Sequence, residues 1–100
     1  MSAQVRAREA EITAAVEKYL FDAGGEATIG QIRRAFPHYF PLTGEDRNAS
    51  LTRPGEEIWE QQIRNIVCHR DSDGNAIKTG RILYAPGRLI LADSPQGKLL

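Results

Sequence analysis

The sequence predicts an α+β domain in which three helices are followed by a β-hairpin. Apolar residues recur at helical spacing in three segments between residues 4 and 70, whereas two short apolar runs, "RILYA" and "RLILA", flank the turn dipeptide "PG" near the end. The length of 100 residues suits one small domain with a modest core. We therefore expect one domain with little room for a separate catalytic pocket.

Helix one is expected from about residue 4 to residue 23. Gly24 and Gly25 supply a stop at its C-terminal end. Four apolar residues lie at the i, i+4, i+7, i+8 spacing of a single helix face, namely Ile12, Val16, Tyr19 and Leu20.

A shorter second helix follows. Thr28 and Gln31 have the spacing of a capping box at its start, and Pro37 ends the helical run. The apolar face of this helix is formed by Ile29, Ile32 and Phe36.

Residues 37 to 52 are predicted to be an irregular connection, because prolines and a glycine interrupt them. Tyr39, Phe40 and Leu42 are expected to tuck under the core. The connection is long for a small domain, which hints at a functional role for it.

The third helix is predicted from the segment "RPGEEIWEQQIRNIVCHR", which starts at residue 53. Pro54 suits the first turn, and the two glutamates after Gly55 suit the positive end of the helix dipole. His69 and Arg70 suit its negative end.

Two strands joined by a tight turn close the domain, and a very short strand near Glu26 and Ala27 would complete a small sheet. Three helices followed by a β-hairpin wing with basic residues at the strand ends are typical of a winged helix-turn-helix domain. We assign residues 1 to 93 to this domain and residues 94 to 100 to a tail or a linker to a missing domain.

The third helix has two chemically different sides when it is projected at about 100° per residue. The apolar side is predicted to be a buried seam of Trp59, Ile63, Ile66 and Val67. The opposite side carries amide, guanidinium, thiol and carboxylate groups, from Glu57, Gln61, Arg64, Asn65 and Cys68.

Gln61, Arg64 and Asn65 carry the donors and acceptors that readout of a DNA major groove requires. Arginine offers a fork to guanine, and an amide side chain pairs with adenine. The alternative is a polar solvent face with ordinary intrahelical pairs. Cys68 either fills space or makes an apolar contact with a thymine methyl group or a methylated base.

Residues around this helix could anchor DNA phosphates. Ser50 and Arg53 precede it, while Arg81 and Arg88 flank the hairpin and could also enter a minor groove. Solubility is the alternative role for the two hairpin arginines, and helix capping is the expected role of Thr52.

Three further side chains have competing structural roles. His69 could reach a phosphate, although a helix-terminal histidine is more often structural. Tyr84 could be a stacking platform for a base, but we expect Tyr84, like Trp59, to belong to the core.

Charge is balanced overall but unevenly distributed. The 13 Lys/Arg and 13 Asp/Glu give a net charge of zero, so charge alone indicates neither nucleic acid nor a membrane as the partner. Residues 1 to 60 hold seven Lys/Arg against ten Asp/Glu, whereas residues 61 to 100 hold six against three. The C-terminal part is therefore the candidate contact surface.

Composition argues against several functional classes. One cysteine and two histidines leave no internal disulfide and no multi-cysteine zinc site, so we expect no metal or cofactor. No apolar run is long enough for a membrane helix and no signal peptide is recognisable, which favours a cytoplasmic protein. No nucleophile is paired with a base, so the chain is not expected to be an enzyme as it stands.

The segment "SLTRPGEEIWEQQIRNIVCHR", followed by "GN" and "RLILAD", resembles the winged-helix domain of Mrr-type restriction proteins and related modification-dependent HNH endonucleases. The resemblance runs from about residue 11 to residue 93. It is strongest at Ser50, Arg53, Trp59, Ile63, Asn65, Val67 and His69.

This resemblance implies the specificity module of a restriction endonuclease, which binds double-stranded DNA and senses modified bases, with N6-methyladenine as the first choice. Ser50 and Arg53 would meet the backbone, and Asn65 would read a base or tie the helix to the hairpin. No HNH cluster or D-(E/Q)-x-K arrangement is present, so a nuclease would be a fused or partner domain. The alternatives are a winged-helix transcriptional regulator, which would need a dimer surface, and a protein-interaction winged helix.

Overall fold

The computed structural model describes residues 9–94, and in this range the predicted α+β class, the helices and the hairpin are confirmed. The order of elements is α1 (Glu9–Asp22), β1 (Glu26–Thr28), α2 (Ile29–Ala35), a 3-10 turn (Phe36–His38), α3 (Ile58–Cys68), β2 (Ile82–Ala85) and β3 (Arg88–Leu91). The predicted beginning of helix one and most of the predicted tail lie outside the described residues.

The three strands form one antiparallel sheet with β3 in the middle, in the order β1-β3-β2. Ala27 of β1 and Tyr84 of β2 both pair with Leu89 of β3. The predicted short first strand is therefore confirmed. Pro86 and Gly87 form the hairpin turn, in which Gly87 has a φ of 78° that an L side chain rarely adopts.

The hairpin turn is attached to the start of α2. The backbone N–H of Ile29 donates to the carbonyl oxygen of Gly87 at 2.9 Å. Thr28 caps the same helix, because its hydroxyl oxygen accepts from the N–H of Gln31 at 3.1 Å while the Gln31 side chain accepts from the N–H of Thr28 at 2.9 Å. The predicted capping box is confirmed.

The core lies between the helices and one face of the sheet. Phe36 stacks on Trp59 with ring centroids 5.6 Å apart and an interplanar angle of 12°, and this contact joins the end of α2 to the start of α3. The predicted burial of Trp59 is confirmed. The other large buried side chains are Ile12, Val16, Leu20, Ile32, Ile63, Ile66, Ile82 and Leu89.

The connection between the 3-10 turn and α3 runs from residue 39 to residue 57 and has no regular secondary structure beyond an isolated bridge. Tyr39, Phe40 and Leu42 are half-buried against the core, as predicted. Together they cover the edge of the core that the short α2 leaves open.

Helix α3 begins later than the sequence suggested. Pro54 is not in its first turn, and Thr52 does not cap it, because the helix starts at Ile58 with Glu57 as its N-cap. Pro54 and Gly55 belong to a turn, in which Gly55 has a φ of 83°. An isolated bridge between Ala49 and Glu57 closes this turn, which we call the 49–57 turn.

Asn75 holds the C-terminal end of α3. Its side-chain amide donates to the carbonyl oxygen of Ile66 at 2.9 Å, and its side-chain oxygen accepts from the N–H of Ile77 at 2.8 Å. The side chain is buried, so movement of either neighbour would leave one polar atom of Asn75 buried without that partner. Asn75 therefore fixes the end of α3 relative to the chain that leads into β2.

Asn75→Ala is expected to lower the free energy of unfolding by about 1 to 3 kcal/mol, because the buried Ile66 carbonyl and Ile77 N–H lose their partner. The measurement is urea unfolding followed by tryptophan fluorescence. The control is the exposed residue Asn48, since Asn48→Ala should change stability by less than about 0.5 kcal/mol. Equal stability of the two variants would contradict the role of Asn75.

Candidate nucleic-acid interface

A groove of about 380 Å³ lies between the C-terminal half of α3, the 49–57 turn and the tip of the hairpin. Three residues predicted to contact DNA line it: Arg53, Arg64 and Cys68. Its remaining lining is Ile29, Val67, Tyr84 and Gly87, so among the described residues its walls carry two cations and no carboxylate.

Ser50 joins the 49–57 turn to α3. Its hydroxyl donates to the side-chain oxygen of Gln61 at 2.6 Å, and the same hydroxyl oxygen accepts from the backbone N–H of Arg53 at 3.1 Å. Both Ser50 and Gln61 were predicted to contact DNA directly. In the structure they contact each other, and this contact places Arg53 beside α3.

Arg64 is held by a carboxylate that precedes the helix. The Nε of Arg64 lies 3.4 Å from one oxygen of Glu56, and its NH2 group forms an ion pair with the other oxygen. Arg33 of α2 approaches Glu56 at 3.9 Å and binds Glu60 at 2.6 Å. These four side chains connect α2, the 49–57 turn and α3.

The network shifts the pKa values of its best-buried pair. The hydrogen bond from Arg64 lowers the pKa of Glu56, against an opposing effect of burial. The same bond raises the pKa of Arg64. Glu56 is therefore a carboxylate at neutral pH, with 12 % of its side chain exposed.

Asn65 makes a contact within the helix. Its side-chain amide lies 3.5 Å from the side-chain oxygen of Gln62. The hydrogen bond that ties the end of α3 toward the hairpin is made by Asn75 instead. Asn65 therefore makes no side-chain hydrogen bond to the hairpin among the described residues, and its contact with a base stays a prediction.

Tyr84 is not a core residue, contrary to the prediction, because 42 % of it is exposed. Its partner in the sheet register, Leu89, is fully buried, so Tyr84 projects from the core-facing side of the sheet. It extends past the end of the buried region and lines the groove. The guanidinium carbon of Arg70 lies 5.7 Å from the ring centroid.

His69 and Arg81 lie together, but in a different cleft. The Nδ1 of His69 is 2.7 Å from a carboxylate oxygen of Glu9 on α1. Asp73 also lines this cleft, so acidic groups lie beside both His69 and Arg81 there. The two residues therefore do not join Arg53 and Arg64.

Arg88 projects from the outer face of the sheet. It follows the hairpin turn and is adjacent to the buried Leu89, so its side chain points away from the core. It binds Glu26 of β1 at 3.1 Å. Of the nine candidate residues, the groove and its immediate support thus bring together Ser50, Arg53, Gln61, Arg64 and Cys68.

Sequence reasoning missed the role of Glu56 and the exposure of Leu51 and Tyr84. The dipeptide "PG" at residues 54 and 55 is a turn signal that could have placed Glu56 outside the helix. Leu51, at the tip of the 49–57 turn, is 99 % exposed, and no apolar periodicity marks it. The partners of Glu56 depend on tertiary contacts and leave no local signal.

Comparison of the chain with protein-family models, curated proteins and solved structures finds no match. Within residues 9–94, no helix has both the length and the apolar character needed to cross a bilayer. No three His, Cys, Asp or Glu side chains of that range are grouped as metal ligands.

The lowered pKa of Glu56 predicts how stability depends on pH. Because the folded state favours the carboxylate, its contribution is fully present above the pKa of the unfolded chain and is lost as pH falls through the lower pKa of the folded state. Glu56→Gln should be less stable at pH 7 and should lose less stability between pH 5 and pH 3. The measurement is a series of urea midpoints across that range.

Glu17→Gln on α1, outside the network, is the control and should follow the pH profile of the parent. Identical pH profiles for Glu56→Gln and the parent would contradict the assignment of Glu56 as a stabilising carboxylate.

Proposed function

We propose that this chain is a winged helix-turn-helix domain that binds duplex DNA, with α3 as the helix that enters the major groove. The order α1-β1-α2-α3-β2-β3 and the central position of β3 in the sheet support this fold. The hairpin of β2 and β3 is then the wing. Its turn lies beside the exposed side of α3, since Gly87 and Arg64 line the same groove.

The observation that carries the proposal is the convergence of Arg53, Arg64 and Cys68 on one groove beside α3. Phosphate contacts need exposed cations, and base contacts need donors and acceptors in a fixed geometry. Arg53 is exposed on a braced turn, whereas Arg64 is held in one orientation. Arg53 therefore suits a phosphate and Arg64 suits a base edge.

Glu56 orients Arg64 without using all of its donors. A guanidinium group has five N–H donors in a planar fork. Glu56 accepts from the Nε and NH2 groups, so the NH1 group of Arg64 has no role in that pair. This remaining edge can reach a guanine or a phosphate oxygen.

We further propose that the domain serves as the specificity module of a restriction endonuclease that senses modified DNA. The support is the resemblance of residues 11 to 93 to such modules and the lining of the groove. Ile29, Val67 and Cys68 give it an apolar portion next to two cations. A base methyl group can be accommodated against such a surface, and adenine methylation is the first choice.

A protein-interaction winged helix is the second candidate. It is favoured by the almost complete exposure of Leu51 and by the ion pairs that occupy Arg33, Arg64 and Arg88. A protein partner that covered Leu51 would remove its apolar surface from water. Failure to bind any duplex would favour this function.

Arg53→Ala is expected to weaken binding to all duplexes and to reduce the slope of log K against log salt by about 1, because one phosphate contact is lost.

Arg64→Lys keeps the charge but lacks the planar fork, so it should relax base preference by about 1 to 3 kcal/mol. The measurements are anisotropy titrations at several salt concentrations and selection from a randomised duplex pool. The exposed Arg34 of α2 is the control, and Arg34→Ala should resemble the parent.

A duplex with N6-methyladenine at GATC should bind about tenfold more tightly than the unmethylated duplex, which corresponds to about 1.4 kcal/mol. The measurement is fluorescence anisotropy at fixed, near-physiological salt, with a cytosine-methylated duplex as the control. Equal binding to the three duplexes would contradict the sensing of adenine methylation and leave a general DNA anchor.

A further inference from the structure

We propose that the groove beside α3 holds a single base that has left the DNA stack, while Leu51 inserts into the stack in its place. This inference rests on the proposed function, because it concerns how the same surface would engage duplex DNA. It assigns a binding site to the groove and a role to the exposed tip of the 49–57 turn.

The lining of the groove matches the chemistry of an unstacked nucleotide. Tyr84 presents an exposed aromatic ring, and Ile29 and Val67 add apolar surface for the flat face of a base. Arg53 and Arg64 lie in the same lining and can hold the phosphate or the polar edge of the base. A base that stayed in the duplex would present only its edge and would not need an aromatic wall.

Leu51 is placed to fill the gap that such a base leaves. It is 99 % exposed, and it lies two residues before Arg53, which lines the groove. Apolar side chains of this kind act as wedges between base steps in proteins that distort DNA. A leucine in this position gains burial only when a partner covers it.

The turn that carries Leu51 is braced on both sides. The backbone N–H of Ser50 donates to the carbonyl oxygen of Glu56 at 2.8 Å, and the Glu56 N–H donates to the Arg53 carbonyl at 3.2 Å. The Ser50 hydroxyl also binds Gln61 on α3 at 2.6 Å. A wedge must keep its position while it separates stacked bases, and these contacts supply that support.

The energy of removing a base from the stack determines which DNA should bind. The cost is lowest where a base has no pairing partner. Stacking on Tyr84 and burial of Leu51 stabilise the complex at every site, so the net free energy of binding is most favourable at an unpaired base. The domain should therefore prefer a duplex with one unpaired base over a fully paired duplex of the same sequence.

The test compares three duplexes by fluorescence anisotropy at one salt concentration. The first is fully paired, the second has a single adenine opposite an abasic nucleotide, and the third has abasic nucleotides on both strands at that position. The third duplex is flexible but offers no base for the groove. The unpaired adenine should bind at least about tenfold more tightly than either of the others.

Two variants test whether the groove, and not the flexibility of the DNA, causes the preference for the unpaired base. Leu51→Ala and Tyr84→Ala should each bring the ratio of dissociation constants for the paired and unpaired duplexes close to one. Phe21→Ala is the matched control, because Phe21 is 76 % exposed on α1 and lines a different cleft. This variant should keep the ratio of the parent. Circular dichroism melting of each variant establishes that it is folded.

The outcomes distinguish this inference from the proposed function. Equal binding to the paired and unpaired duplexes, or equal binding to the unpaired and doubly abasic duplexes, would overturn the base-holding groove and leave DNA binding intact. A preference that survives both Leu51→Ala and Tyr84→Ala would also overturn it. Binding to none of the duplexes would overturn the proposed function and this inference together.

Discussion

The carboxylate of Glu56 is the contact on which the geometry of the exposed surface depends. It receives Arg64 from α3 and lies near Arg33 from α2, while its backbone closes the 49–57 turn through Ser50. Its side chain therefore links α2 to α3, and its backbone holds the turn that directly precedes α3. Its lowered pKa reflects the same arrangement, since the guanidinium groups of Arg64, Arg33 and Arg53 all favour the charged form.

This arrangement explains how a chain of zero net charge can still present a cationic groove. Several acidic groups are paired within the domain, where Glu26, Glu56 and Glu60 each neutralise an arginine. Arg53 has no such ion pair among the described contacts and lies at the groove. Local charge at the groove is therefore more informative than the sum over the chain, which indicated no partner.

Local sequence signals determined most of the fold. The Thr28 capping box, the burial of Trp59, Ile63 and Ile66, and the turn between β2 and β3 depend on neighbours within a few residues and were predicted correctly. Val67, the fourth predicted member of the buried seam, is only half-buried and lines the groove. The predicted start of α3 was wrong, because Pro54 suits the first turn of a helix as well as the loop turn that it forms with Gly55.

The candidate site was less predictable because its geometry depends on tertiary contacts. Helix periodicity placed Gln61, Arg64 and Cys68 on one side, which agrees with the structure. The alternation of side chains along β2 correctly predicts that Tyr84 lies on the core-facing side of the sheet. The sequence does not show where the helices stop covering that side. The separation of Arg81 and Arg88 from the groove also depends on the register of the hairpin.

The hydrogen bond between Ile29 and Gly87 attaches the hairpin turn to α2 and so fixes one wall of the groove. The opposite wall is fixed by the contact between Ser50 and Gln61. Movement of the hairpin over a ligand would break the contact with Ile29, so we expect adaptation on binding to come mainly from the ligand. For a DNA duplex, the ease with which each sequence bends and opens would then contribute to selectivity even at base pairs that no side chain touches.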